Sequence, residues 1–180
     1  AEHVKHKQEP VTIWCSAAST GEEPYSIAMT LLETLGAKAS QAKVIATDID
    51  TDALAKARKG IYPQEQVRKL DEARVKRFFQ KGTGNHIGLA RVRPEVSALV
   101  EFMPLNLLAP QWPIKGPFDA IFCRNVMIYF DKETQAKILK RFAPLMKQDG
   151  LLFAGHSENF SYISDAFKLR GQTVYTLANK

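Results

Sequence analysis

The chain has 180 residues, of which 45% are hydrophobic and 24% are charged, and its formal net charge is +6. This length favours one domain with a single hydrophobic core. It contains no apolar run long enough to cross a bilayer, and its first residues lack the apolar segment of a signal peptide. We therefore expect a cytoplasmic protein that does not insert into membranes.

The first feature along the chain is a strand that breaks into small residues before a helix. Val11–Cys15 is predicted as the strand, Ser16–Gly21 as a loop that allows a ligand to approach the backbone, and Glu22–Leu35 as the helix. Glu22 and Glu23 would repel a pyrophosphate, and neither a P-loop nor a dinucleotide-binding glycine pattern is present. A cofactor with a cationic amino group, such as S-adenosylmethionine, fits better. The alternative is that both acids only complement the helix dipole.

A second strand and helix follow with the same order. Lys43–Thr47 is predicted as the strand, and Thr51 as the cap of the next helix. Strand, helix, strand and helix in this order indicate an α/β protein with parallel strand pairing. Asp48 directly follows the second strand, where an acid commonly binds ribose hydroxyls.

The segment from Lys56 to Arg93 is strongly basic, with eleven Lys or Arg residues against three acids. Such a surface attracts an acidic partner, but a solvated helix face shows the same pattern. Within it, Asp71–Gln80 is predicted as a helix that leads into a glycine-rich loop. Leu89–Val92 and Leu99–Phe102 are then expected to form short antiparallel strands in an insertion outside the main sheet.

The α/β pattern resumes in the last third of the chain. Phe118–Cys123 is predicted as a strand, and Asp131 as the cap of a helix that runs to Lys147. Three further strands are expected at Leu151–Ala154, Phe167–Leu169 and Thr173–Leu177, the last two as a hairpin. Cys15 and Cys123 lie in apolar strands without metal-binding spacing, so we expect buried thiols and no metal site.

Three sequence blocks carry a resemblance to a known family. They are SAASTGEEPYS at 16–26, FDAIFCRNVMIYF at 118–130 and GHSEN at 155–159. With them, nearly the whole chain resembles the chemotaxis receptor methyltransferases of the CheR family, which are protein-glutamate O-methyltransferases. The resemblance implies a Rossmann-like class I methyltransferase domain over 1–180, mostly parallel with an antiparallel last strand, and a small inserted antiparallel β-subdomain at about 81–103. Family members also carry an amino-terminal helical domain, which we expect to be absent from this chain.

The resemblance also implies roles for individual residues toward S-adenosylmethionine. Ala17 would line the cofactor-binding corner formed by the loop at 16–21, Glu23 would bind the methionyl ammonium, and Asp48 would bind the ribose hydroxyls. Asn106 and Leu107 would flank the adenine, and Arg124 and Asn125 would lie beside the methionine moiety. Tyr129 would lie near the reactive methyl group as the catalytic residue. Two alternatives remain open: Asn106 could merely cap a turn, and Tyr129 could be a half-buried core tyrosine. His156 is interpreted as structural.

The implied reaction transfers a methyl group to receptor glutamates and leaves S-adenosylhomocysteine. A glutamate is already ionised at neutral pH, so no general base is expected. The resemblance implies that the partners of this monomer are the cytoplasmic helices of chemoreceptors and, as in some family members, a carboxyl-terminal receptor peptide that adds a strand to the β-subdomain. A nucleic-acid methyltransferase is a weaker alternative, because Asn125 is not followed by Pro-Pro-Tyr, and no nucleic-acid partner is expected. A non-catalytic module that docks on receptors is the third hypothesis.

Overall fold

The computed structural model describes residues 1–178, so residues 179 and 180 of the expected domain lie outside the described range. The strands are β1 Thr12–Cys15, β2 Lys43–Asp48, β3 Ile61–Pro63, β4 Phe79–Lys81, β5 Leu89–Val92, β6 Val100–Pro104, β7 Phe118–Cys123, β8 Met146–Ala154, β9 Phe167–Gly171 and β10 Val174–Leu177. The helices are α1 Glu2–Lys5, α2 Glu22–Leu35, α3 Thr51–Lys59, α4 Gln64–Val67, α5 Glu72–Phe78, α6 Pro94–Ser97 and α7 Lys132–Phe142. Short 3₁₀ turns lie at Gly36–Gln41, Gly84–His86, Met127–Tyr129 and Ala143–Leu145.

The main sheet has seven strands in the order β6-β2-β1-β7-β8-β10-β9. Neighbouring strands from β6 to β8 pair in parallel, whereas β10 is antiparallel to both β8 and β9. This confirms the predicted α/β class and the antiparallel last strand. The closing hairpin was also predicted correctly.

Both faces of the main sheet are buried, as expected where helices cover a parallel sheet. Alternate residues of β1 enter different cores, because side chains alternate along a strand. Ile13 and Cys15 pack on the side of α2 and α3, and Trp14 packs on the side of α7. Trp14 contacts the ring of Phe142 from α7 at a centroid distance of 5.1 Å. The two cores fix the strand ends on which the site is built.

A second sheet of three antiparallel strands has the order β3-β5-β4. It contains Leu89–Val92, as predicted, but the expectation for Leu99–Phe102 was wrong. That segment belongs to β6, which pairs in parallel with β2 at the edge of the main sheet, with Val44 opposite Val100. A short strand's own pattern does not specify which sheet it joins. The missing strand of the small sheet is β3, at Ile61–Pro63.

Three helices also have boundaries that differ from the predictions. Helix α5 spans Glu72–Phe78 instead of Asp71–Gln80, because Asp71 is its cap and β4 begins at Phe79. The cap of α3 is Asp50, whose carboxylate accepts hydrogen bonds from the amides of Asp52 and Ala53, and Thr51 is the first helical residue. Helix α7 begins after Asp131 as predicted but ends at Phe142 instead of Lys147. Pro144 lacks an amide hydrogen, which disfavours continuation of the helix, and the chain enters β8 at Met146.

Candidate cofactor site

A cavity of about 700 Å³ opens at the carboxyl ends of β1, β2, β6 and β7. These ends meet at one edge of the sheet because the four strands are parallel. All eight residues named by the family resemblance line this cavity: Ala17, Glu23, Asp48, Asn106, Leu107, Arg124, Asn125 and Tyr129. Residues far apart in the sequence therefore form one site.

Glu23, in the first turn of α2, is held by two side chains. The guanidinium of Arg124 donates to one carboxylate oxygen at 2.8 Å, and the thiol of Cys15 donates to the other at 3.2 Å. Cys15 is fully buried, and burial together with the neighbouring Glu23 charge raises the pKa of its thiol well above the usual value. Burial also raises the pKa of Cys123 to about 12, so both thiols are neutral, as expected for buried cysteines.

The loop between β1 and α2 is fixed by its backbone. The amide of Ala18 donates to the carbonyl of Thr47 at 2.8 Å, and the amide of Ser19 donates to the Asp48 carboxylate at 2.7 Å. Gly21 has φ of 97°, and a Cβ there would lie 2.9 Å from the hydroxyl oxygen of Tyr62. Only glycine fits both restrictions, which explains why the loop ends in this residue.

A second loop follows β6 and contributes Asn106 and Leu107. The side-chain oxygen of Asn106 accepts a hydrogen bond from the amide of Leu108 at 2.9 Å, so Asn106 does cap a turn, as the alternative interpretation held. Asn106 also lines the cavity, so the cap does not exclude a contact with the cofactor. Leu107 is buried and supplies an apolar wall.

The third loop follows β7 and carries Arg124, Asn125 and Tyr129. Tyr129 is 78% exposed at the cavity, which excludes the alternative of a half-buried core tyrosine. His156 is exposed and does not line the cavity.

Sequence reasoning missed several residues that shape the site. The side chains of Glu158, Arg141 and Tyr62 hydrogen-bond the backbones of the three loops, one for each loop. The block at 155–159 had marked the region of Glu158, but no spacing rule reveals a carboxylate that binds backbone amides. Further lining residues are Ser16, Ala18, Ser19, Glu22, Ile49, Leu105, Leu108, Val126 and Phe130.

Two kinds of feature are absent from residues 1–178. No group of three or more His, Cys, Asp or Glu side chains is arranged to hold a metal ion. No helix in this range is long and apolar enough to span a membrane.

Comparison with known proteins decides the family. The model of the CheR methyltransferase, SAM binding domain, matches residues 1–176. This chain belongs to that family. The chemotaxis protein methyltransferase of Escherichia coli K12 is 59% identical over 178 residues, covering 99% of this chain and 62% of that protein. Chemotaxis protein methyltransferase 2 of Pseudomonas aeruginosa is 53% identical over 172 residues, covering 96% and 61% respectively. The chain thus spans less than two thirds of these relatives.

The same fold occurs in more distant proteins. A TehB-like SAM-dependent methyltransferase from Corynebacterium glutamicum matches with a TM-score of 0.52, covering 95% of this chain and 80% of that protein. The sequence identity is 11%, so this match supports the Rossmann-like methyltransferase fold alone.

Proposed function

We propose that this chain binds S-adenosylmethionine in the cavity and transfers its methyl group to glutamate side chains of chemoreceptors. The convergence on one cavity of all eight residues to which the family resemblance gives a role carries the proposal. The volume lies within the usual range for small-molecule sites. Carboxylates, an amide and apolar walls together suit a ligand with cationic, hydroxyl and aromatic parts.

The roles proposed here are those that the family resemblance implies, and the contacts of the side chains support them. The Glu23 carboxylate binds the methionyl ammonium, and its oxygens retain lone pairs beyond the bonds from Arg124 and Cys15. The Asp48 carboxylate binds the ribose hydroxyls. Its oxygens already accept from the amides of Ser19 and Asp50, which hold it at the carboxyl end of β2.

The remaining cofactor contacts come from the second and third loops. Asn106 and Leu107 flank the adenine, while Arg124 and Asn125 lie beside the methionine moiety. These residues are separated in sequence but face one cavity, so a single ligand can contact both loops.

The chemistry requires orientation more than proton transfer. Bound S-adenosylmethionine supplies a methyl group activated by its sulfonium. A substrate glutamate is already anionic at neutral pH, so the protein needs no base to deprotonate it. The loops therefore accelerate the reaction by alignment. Tyr129, exposed at the cavity, orients the acceptor near the methyl group.

The partner proposal rests on the small sheet and its basic surroundings. Within the described structure β4 is an edge strand of this sheet, and an extended peptide at a receptor carboxyl end can add to such an edge. The basic residues between Lys56 and Arg93 attract receptor helices that present glutamates. We propose that the protein acts as a monomer in the cytoplasm, with no nucleic-acid partner.

Calorimetric titration with S-adenosylhomocysteine tests the cofactor site directly. The unmodified chain should bind, and Asp48→Ala should bind at least about tenfold more weakly because a charged acceptor is lost. Asp52→Ala is the matched control, since the Asp52 side chain is exposed on α3 without a hydrogen bond within residues 1–178. No binding by the unmodified chain would refute the proposal.

The reaction itself needs a separate measurement. Incubation with methyl-labelled S-adenosylmethionine and a receptor cytoplasmic fragment should label the receptor with a base-labile methyl ester. A base-stable product, or labelling of added nucleic acid instead, would contradict the glutamate assignment.

A further inference from the structure

Glu158 is a buried carboxylate surrounded by backbone amides. It is 7% exposed, and its two oxygens accept four hydrogen bonds. The donors are the amides of Gly155 at 2.7 Å, Met127 at 2.8 Å, Asn125 at 3.0 Å and Val126 at 3.1 Å. Three consecutive amides therefore point at one anion, an arrangement that binds negative charge well.

The bound loop begins directly after β7 and forms one wall of the cavity. Asn125 adopts φ of 58°, in the left-handed region that asparagine tolerates better than most residues other than glycine. The hydrogen bond from its amide to Glu158 fixes the loop at this turn. Gly155 permits the close approach, because a Cβ there would lie 2.6 Å from the Asn125 side-chain oxygen and 2.8 Å from a Glu158 oxygen.

We propose that Glu158 is a positioning residue for the cofactor: its carboxylate holds residues 125–127 and thereby fixes the wall that Arg124 contributes. The inference rests on the cofactor site proposed above. Glu158 does not line the cavity, and it acts through the loop rather than by touching the ligand. The loop amides, which would otherwise be left without acceptors, are all directed to one side chain.

A carboxylate suits this position better than any neutral side chain. Both of its oxygens only accept hydrogen bonds, and each binds two of the four amides. Glutamine has nearly the same shape, but its NH₂ group would face two backbone donors. Glu158→Gln therefore removes two acceptor contacts with little change in volume.

The experiment compares cofactor affinity in Glu158→Gln with that in Asp119→Asn. Asp119 is also buried and accepts from the Thr12 amide at 2.9 Å and from Lys7 at 2.7 Å, but it lies at the other end of β7. Both variants are expected to be less stable than the unmodified chain. At a temperature where both are folded, calorimetry should show about tenfold weaker binding of S-adenosylhomocysteine by Glu158→Gln and unchanged binding by Asp119→Asn.

Amide hydrogen exchange of the ligand-free protein provides a second readout. Exchange at residues 125–127 should be faster in Glu158→Gln and unchanged in Asp119→Asn. Gly155→Ala retains the charge but crowds the same carboxylate, so it should reproduce the loss of affinity. Equal affinity in the unmodified chain and Glu158→Gln would overturn the inference and leave the proposed function intact. Failure of the unmodified chain to bind would overturn both.

Discussion

Two adjacent acids at the start of α2 have different surroundings. Glu22 is exposed, and its carboxylate accepts from the hydroxyl of Thr20 and, at 3.1 Å, from the side chain of Gln66. Glu23 is half-buried and accepts from Arg124 and Cys15. Both line the cavity, but only Glu23 is tied to the loop after β7. The sequence left open whether the pair serves only the helix dipole, and the contacts of Glu23 with Arg124 and Cys15 support the cofactor role proposed for it.

The paired variants Glu23→Gln and Glu22→Gln should therefore behave differently. Each keeps the shape of the side chain and removes one charge near the start of α2, so the two affect the helix dipole similarly. We expect about tenfold weaker S-adenosylhomocysteine binding in Glu23→Gln, because a charge-assisted bond to the ligand is lost. Calorimetry on Glu22→Gln should give less than about a twofold change. Equal losses in both variants would contradict the assignment of Glu23.

Individual side chains could be predicted where a strand end fixes their location. Asp48 was expected at the site in this way, because the carboxyl ends of parallel strands meet at one edge of the sheet. The role of Glu23, in the first turn of α2, came from the family resemblance instead. Glu158 was not predicted as a site residue. Whether its carboxylate meets backbone amides depends on the path of a distant loop, and such contacts leave no periodic pattern in the sequence. Its role became visible only with the hydrogen bonds of residues 125–127.

Helix α7 supports the adenine side of the proposed site through one arginine. Arg141 donates to the carbonyls of Leu107 at 3.3 Å and Ala109 at 2.8 Å. Its guanidinium also lies 3.7 Å from the ring centre of Trp112. One side chain thus connects α7 to several points between residues 107 and 112 of the loop after β6. A planar group with several donors is needed for this, and lysine cannot replace it.

Arg141→Lys should loosen that loop without removing a positive charge. We expect S-adenosylhomocysteine affinity to fall by roughly threefold to tenfold, because only part of the lost contact energy is expressed in binding. Lys137→Ala, which removes an exposed ion pair with Glu133 on the same helix, is the control and should bind normally. Calorimetry distinguishes the two, and unchanged affinity in Arg141→Lys would show that the loop is held by other contacts.

Elements with strong local signals were predicted more accurately than elements defined by their neighbours. Both ends of α2 and of β7 lie where they were predicted. At these ends the apolar pattern stops at the same place as a charged residue or a glycine occurs. The predicted end of α7 lay beyond Pro144, because the apolar periodicity of the sequence continues there. The helix itself ends earlier, since proline disfavours its continuation. The assignment of β6 failed for a different reason, since its parallel pairing with β2 depends on a contact across the sheet.

The small sheet and the cofactor loop form one connected structure. The hydroxyl of Tyr62, from β3, donates to the carbonyl of Thr20 at 2.7 Å, and the close packing of this hydroxyl against Gly21 leaves no room for a side chain. Burial raises the pKa of Tyr62, with a further contribution from Glu22, so the hydroxyl remains a donor at all ordinary pH values. The sheet proposed to bind receptor peptides therefore also braces the loop proposed to bind the cofactor.

Tyr62→Phe should test whether this brace matters for binding. The variant removes one oxygen and leaves the Thr20 carbonyl without that donor, so we expect about 1 kcal/mol lower stability and roughly threefold weaker S-adenosylhomocysteine binding. Tyr25→Phe is a matched control, because the Tyr25 hydroxyl is also buried and donates at 2.7 Å to a carbonyl, that of Ala57 on α3. It should lose similar stability while keeping its affinity. If thermal unfolding shows the same destabilisation in both and calorimetry shows the same affinity, the small sheet contributes to folding only. If Tyr62→Phe alone loses affinity, the small sheet and the cofactor loop are energetically coupled, and a peptide added to that sheet can influence cofactor binding.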